Sequence, residues 1–141
     1  MTLIIVDDSK EDFELMEIAL DEVGYQGKIE WLSDGEQIIK YLDESLTQPE
    51  KTLSGHYLIL LDINMPKKTG LEALEYIKSN KKLKYLPCIM LTTSQAPSDI
   101  KKAYELGANS YLNKPFDFNS MIDLFQSLKS FWVDRNLLPE S

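Results

Sequence analysis

Short apolar runs alternate with longer amphipathic stretches along the whole chain, and this alternation constrains the fold more than any other property of the sequence. Leu3–Val6, Ile29–Leu32, Tyr57–Leu61, Cys88–Leu91 and Ser110–Leu112 have the length of strands. The first, third and fourth are continuously apolar, as strands buried on both faces of a parallel sheet are.

Between the runs the apolar residues fall three and four apart, the spacing of one helix face. Phe13, Met16, Leu20 and Val23 mark a first helix, with Ser9 and Asp12 in a capping arrangement at its start and Gly24 at its stop. Ile38, Ile39 and Leu42 mark a second, Leu71, Leu74 and Ile77 a third, and Ile100, Ala103 and Tyr104 a shorter fourth that closes at Gly107. The last is the longest, drawing Phe118, Met121, Ile122, Phe125, Leu128 and Trp132 into one stripe. Five strands alternating with five helices predict right-handed crossovers and a doubly wound α/β domain whose parallel sheet is covered on both faces. The polar stretch from Leu46 to His56, with Pro49 and Gly55, reads as a surface loop, and residues 136–141 as a short frayed tail.

A chain of 141 residues matches one domain, expected over 1–135, and its 43% hydrophobic content supports a packed core. The net charge of −8 opposes phosphate backbones and anionic lipid, so direct nucleic-acid or membrane binding is not expected. Cys88 has no second cysteine to pair with, there is no basic leader, and no run approaches the roughly 20 apolar residues of a membrane helix, so a reducing cytoplasm is the expected location.

In doubly wound sheets the functional crevice lies beyond the carboxyl ends of the strands. Asp7 and Asp8 follow the first run, Asp62 the third, Thr92, Thr93 and Ser94 the fourth, and Lys114-Pro115 the fifth. Ser33, Asp34 and Gly35 after the second read as a helix cap. Three carboxylates at one rim repel each other unless a cation lies between them. Mg²⁺ fits, being a hard ion that accepts one or two carboxylates together with waters and a phosphate. Helix capping would account for one of the two adjacent aspartates but not for both and Asp62. With a hydroxyl and a lysine at the same rim, this is the set that phosphoryl transfer to a carboxylate needs.

On these residues the sequence resembles the receiver domains of two-component response regulators. The resemblance runs from Leu3 to about Trp132 and is carried by Asp7-Asp8, by Leu60-Leu61-Asp62-Ile63-Asn64-Met65-Pro66 with Gly70, by Leu91-Thr92-Thr93-Ser94, and by Lys114-Pro115. It implies a flavodoxin-like sheet of order 2-1-3-4-5 with five helices. It also implies that Asp62 accepts a phosphoryl group from a histidine of a partner kinase or phosphotransfer protein. Asp8, Asp62 and the Asn64 backbone carbonyl would ligate Mg²⁺, with Asp7 acting through water and Lys114 contacting the phosphoryl group or Asp62. Thr92 and Tyr111 take the places of the family's switch pair, Asn64 and Ser94 those of residues that tune hydrolysis. Lys114–Pro115 is a candidate cis peptide.

A narrower resemblance is to stand-alone receivers that partner bacterial phytochromes and related sensor kinases, on Pro49–Gly55, Met65-Pro66-Lys67-Lys68, Thr92-Thr93-Ser94 and Ser130-Phe131-Trp132. It implies a homodimer through the fourth helix, fifth strand and fifth helix. Only about nine residues follow Trp132, so no output domain is expected and output would be binding by the same surface or onward phosphotransfer.

Two alternatives keep the architecture. A metal-dependent phosphatase with an aspartyl-phosphate intermediate needs an acid two residues after the nucleophile, where this chain has Asn64. A phosphorylation-independent interaction module would leave the five key side chains without a task. Flavin or nucleotide binding lacks its glycine-rich loop after the first strand, where Asp7 and Asp8 would repel a phosphate. His56, in a loop, reads as a solvated residue, Cys88 as a buried filler, and Lys78, Lys81, Lys82 and Lys84 as a solvated basic face. Trp31 and Trp132 fit a core or an interface equally. The acidity is concentrated in residues 1–70, with 15 acids against 6 bases, so the first helix offers an acidic face to a basic or polar partner.

Overall fold

The computed structural model describes residues 1–47 and 57–139. The strands are β1 (Thr2–Val6), β2 (Lys28–Leu32), β3 (Tyr57–Leu61), β4 (Cys88–Thr92) and β5 (Ser110–Asn113). They form one sheet of order β2-β1-β3-β4-β5, every pair parallel, as the resemblance implies. The helices are α1 (Lys10–Glu22), α2 (Gly35–Leu46), α3 (Gly70–Ser79), α4 (Pro97–Glu105) and α5 (Phe118–Leu128).

Successive strand residues point to opposite faces, and here both faces are apolar. Ile4, Val6, Ile59, Leu61, Cys88 and Met90 join Ile38 and Leu42 of α2, Leu74 and Ile77 of α3 and Ala103 of α4 in one core. Leu3, Ile5, Leu58, Leu60, Ile89 and Leu91 join Met16, Ala19 and Leu20 of α1 and Met121, Phe125 and Leu128 of α5 in the other. That two-sided burial is why β1, β3 and β4 read as unbroken apolar runs.

The helix ends follow their local chemistry. Ser9 accepts from the Asp12 backbone N–H at the start of α1, and Gly24, at φ 78°, takes the left-handed conformation after its end. Thr69 and Glu72 form a reciprocal capping box on α3.

Four expectations change. The long last helix is α only to Leu128, its last buried residue, and continues as a π-helix over Lys129–Arg135. Two interactions that span five residues fix the wider turn: the Lys129–Asp134 ion pair at 3.0 Å and the Asn136 N–H donating to the Phe131 carbonyl at 2.7 Å. Tyr104 and Phe118 are exposed rather than packed, leaving Ala103 as the buried residue of α4 and starting the buried stripe of α5 at Met121. Lys78 is no member of a solvated face. Its ammonium donates to the carbonyls of Lys84 and Leu86 and to Asn109 Oδ1, and burial pulls it below its ordinary pKa. Lys114–Pro115 is trans, since no described peptide bond is cis; trans is the favoured isomer of an X–Pro bond. Cys88 is wholly buried as expected, whereas residues 48–56, including Pro49, Gly55 and His56, lie outside the described residues.

Candidate functional site

Register brings the carboxylates together. Val6 is level with Leu61, so Asp7 and Asp62 leave adjacent strands at the same height, and the Asp62 N–H donates to the Val6 carbonyl at 3.0 Å. Thr92 ends β4, and the Lys114 N–H donates to its carbonyl at 2.8 Å. The Lys114 side chain then runs from the end of β5 past the end of β4 toward the carboxylates at the ends of β3 and β1.

There its ammonium donates to Asp7 Oδ2 at 2.7 Å, Asp62 Oδ2 at 2.9 Å and Asp12 Oδ2 at 3.0 Å. Asp7, Asp62 and Lys114 are all buried. Burial pulls Lys114 down, but its hydrogen bonds to Asp7 and Asp62 more than reverse this, so the lysine titrates above its ordinary range and stays an ammonium ion. Burial pushes the Asp7 carboxyl up, with the Lys114 bond and the Ser9 N–H offsetting part of the rise.

Asp7, Asp8 and Asp62 each offer an oxygen within 4.8 Å of the others. At an effective dielectric of 20, two unit charges at that separation repel by roughly 3 kcal/mol. With Asp12 there are four carboxylates and one lysine at the rim. The excess is negative and all the donors are oxygens, which suits a hard divalent cation, whose opposed oxygen ligands stand about 4.2 Å apart.

The other sequence-predicted residues lie around this centre. Thr92 is fully buried, and its Oγ1 accepts from the Ser94 N–H at 3.3 Å. The Tyr111 hydroxyl donates to the Ser94 carbonyl at 2.9 Å, so both residues hold the loop between β4 and α4. The Ser94 hydroxyl is turned to α4, donating to Asp99 Oδ2 at 2.6 Å. Asn64 is exposed beside Asp62.

Three contributors were not expected as site residues. Asp12 was read only as Ser9's capping partner; its backbone N–H does bond Ser9, but its carboxylate goes to Lys114. No spacing marked it: Asp8 precedes the Ser9 cap and lies outside α1, so the turn from β1 into α1 is what brings Asp12 to the same rim. Trp31 stacks on Phe13, ring centroids 5.2 Å apart, and its indole N–H donates to the Asp7 carbonyl at 2.8 Å. Gly70 lies against Asp62: a Cβ there would stand 1.9 Å from the Asp62 carbonyl oxygen. Near Lys114, a cleft of about 220 Å³ is lined by Asp12, Leu15, Thr93, Pro115 and Phe116 among others.

Comparison with known proteins agrees with this geometry. The response regulator receiver domain family model matches residues 3–126. Response regulator Rcp1 of Synechocystis sp. is 34% identical over 137 residues, spanning 97% of this chain and 92% of Rcp1. The crystal structure of the Mn²⁺-bound form of Rcp1 superposes with a TM-score of 0.83 at 35% identity, covering 98% of each chain. The phosphorylated cyanobacterial phytochrome response regulator RcpA gives a TM-score of 0.85 at 31% identity, covering 99% of this chain and 98% of RcpA. With the family's motifs gathered at one rim and its model matching nearly the whole chain, this protein belongs to the response regulator receiver domain family.

Proposed function

We propose that the chain is a stand-alone receiver, one domain over 1–135 with a short tail, in which Asp62 takes a phosphoryl group from a histidine of a partner kinase or phosphotransfer protein. The observation that carries this reading is the buried Lys114 ammonium bridging Asp7 and Asp62 at the ends of the adjacent strands β1 and β3. An oxygen of Asp62 attacks phosphorus, the P–N bond to the donor histidine breaks, and its electron pair stays on the imidazole nitrogen. Lys114 engages Asp62 Oδ2; the other oxygen, without a protein donor among the described residues, is free to form the O–P bond. The lysine charge offsets that developing on the phosphoryl oxygens. Asp8, Asp62 and the Asn64 carbonyl would hold Mg²⁺, with Asp7 through water, and the ion would supply the remaining positive charge. The metal-bound Rcp1 and phosphorylated RcpA support both parts of this reading.

Thr92 and Tyr111 form the switch, because both grip Ser94, and a phosphoryl oxygen that accepts from the Thr92 hydroxyl pulls on that grip. Asn64 and Ser94 tune the lifetime of the phosphoryl group. The chain itself turns over no separate substrate. Output is binding through α4, β5 and α5, including homodimerisation. An apolar groove of about 400 Å³ between β5 and α5, lined by Leu112, Leu124, Leu128, Phe131 and Trp132, supports that surface. The unpaired, buried Cys88 suits a reducing cytoplasm, and no described helix is long and apolar enough to cross a membrane.

Acetyl phosphate with Mg²⁺ should add one phosphoryl group by mass, and the addition should vanish with EDTA or with Asp62→Ala. Labelling of Asp62→Ala at the wild-type level would overturn the assignment. Light scattering with and without beryllofluoride reads the homodimer.

A further inference from the structure

We propose that Asp12 is a positioning residue that occupies the Lys114 ammonium until a phosphoryl oxygen displaces it, an inference that rests on Asp62 as the acceptor. A lysine ammonium has three N–H donors and no more. Here all three are in use, on Asp7, Asp62 and Asp12. A phosphoryl group on Asp62 that engages Lys114 must therefore take one N–H from a carboxylate.

Asp12 is the one to leave. The side chains of Asp7 and Asp62 are 2% and 10% exposed, that of Asp12 38%. Asp7 is also held by the Ser9 N–H at 2.9 Å, whereas the Asp12 carboxylate has no other described donor. It lies at the first turn of α1 on the cleft beside Lys114, so it can swing to solvent without unwinding the helix, whose cap uses its backbone N–H. Before phosphorylation Asp12 keeps Lys114 aligned across the rim. Afterwards its negative charge opposes the phosphoryl oxygens and shortens their hold on the lysine. Asp12 thus sets the threshold for phosphoryl binding without touching phosphorus.

The test is the affinity of the full chain for beryllofluoride with saturating Mg²⁺, read by tryptophan emission. Trp31, bonded to the Asp7 carbonyl, is the reporter. Asp12→Asn removes the competing charge and should tighten binding about fivefold, the scale of a partly exposed ion pair. Asp12→Glu keeps the charge and should stay within about twofold of wild type. Glu11→Gln removes a charge from the same turn without a contact to Lys114 and should change little. Wild-type binding with Asp12→Asn no tighter overturns the proposal, as does equal tightening by Glu11→Gln, which would make the effect one of general charge. A wild type that gives no saturable response overturns the Asp62 assignment itself.

Discussion

Gly70 shows how tightly the site is built at the scale of one residue. Its N–H donates to the Ile63 carbonyl at 3.0 Å, closing the loop after β3, and its α-carbon leaves no room for a methyl group against the Asp62 carbonyl. Gly70→Ala must push the Asp62 backbone or the start of α3 aside. We expect a loss of about 2 kcal/mol in urea unfolding, the scale of an overpacked site. Acetyl phosphate labelling should slow as well, because the nucleophile itself is displaced. A Gly70→Ala protein with wild-type stability and labelling would show that the contact relaxes freely. Asp7 and Lys114 are equally specific: both are buried, and Lys114 is the one cationic partner of Asp7 among the described residues, so removing the lysine costs more than the pair is worth.

Among the elements, Lys78 joins three segments that the strands alone do not hold. From the last turn of α3 it binds the Lys84 and Leu86 carbonyls ahead of β4 and Asn109 ahead of β5, while Asn109 Oδ1 also accepts from the Cys88 N–H at 2.8 Å. The methylene stem lies beneath Gly107, whose missing side chain leaves room for it. Lys78→Met keeps the stem but removes all three bonds, leaving Asn109 Oδ1 only the Cys88 N–H. The expected cost is about 2 kcal/mol, seen as a melting temperature lower by roughly 6 °C, with beryllofluoride affinity unchanged because the clasp lies at the end of the sheet opposite Asp62. From the sequence Lys78 was one of four lysines in a polar run. Only the carbonyls around it, brought near by the turn before β4 and the α4–β5 connection, distinguish it from its neighbours. The change from α to π pitch after Leu128 belongs to the same class, since a helical stripe that continues to Trp132 does not reveal where full burial ends.

For the whole molecule, buried weak acids set the alkaline limit of stability. Burial pushes the Cys88 thiol from 9.0 up to about 12 and the Tyr25 hydroxyl from 10.0 up to about 12. Both groups are acids whose folded pKa is raised, so the fold favours their neutral forms. Their contribution is fully present below pH 9 for Cys88 and below pH 10 for Tyr25, and is lost as pH rises toward 12. The urea midpoint should therefore fall from pH 9 upward, and less steeply in Cys88→Ala; an equal slope in that variant would exclude the thiol. The sequence by itself determined the order of strands and helices, the two-sided burial of β1, β3 and β4, and the candidacy of Asp7, Asp8, Asp62, Thr92 and Lys114. Those properties lie in local periodicity and in which residue follows each strand, and both survive without knowledge of neighbours. Only the tertiary structure decided that Asp12 shares Lys114, that Trp31 bonds the Asp7 carbonyl, that Gly70 abuts Asp62 and that Lys78 is a clasp. Each is a contact between elements far apart in the chain or around a turn, fixed by strand register and helix packing, and spacing within one segment does not encode it.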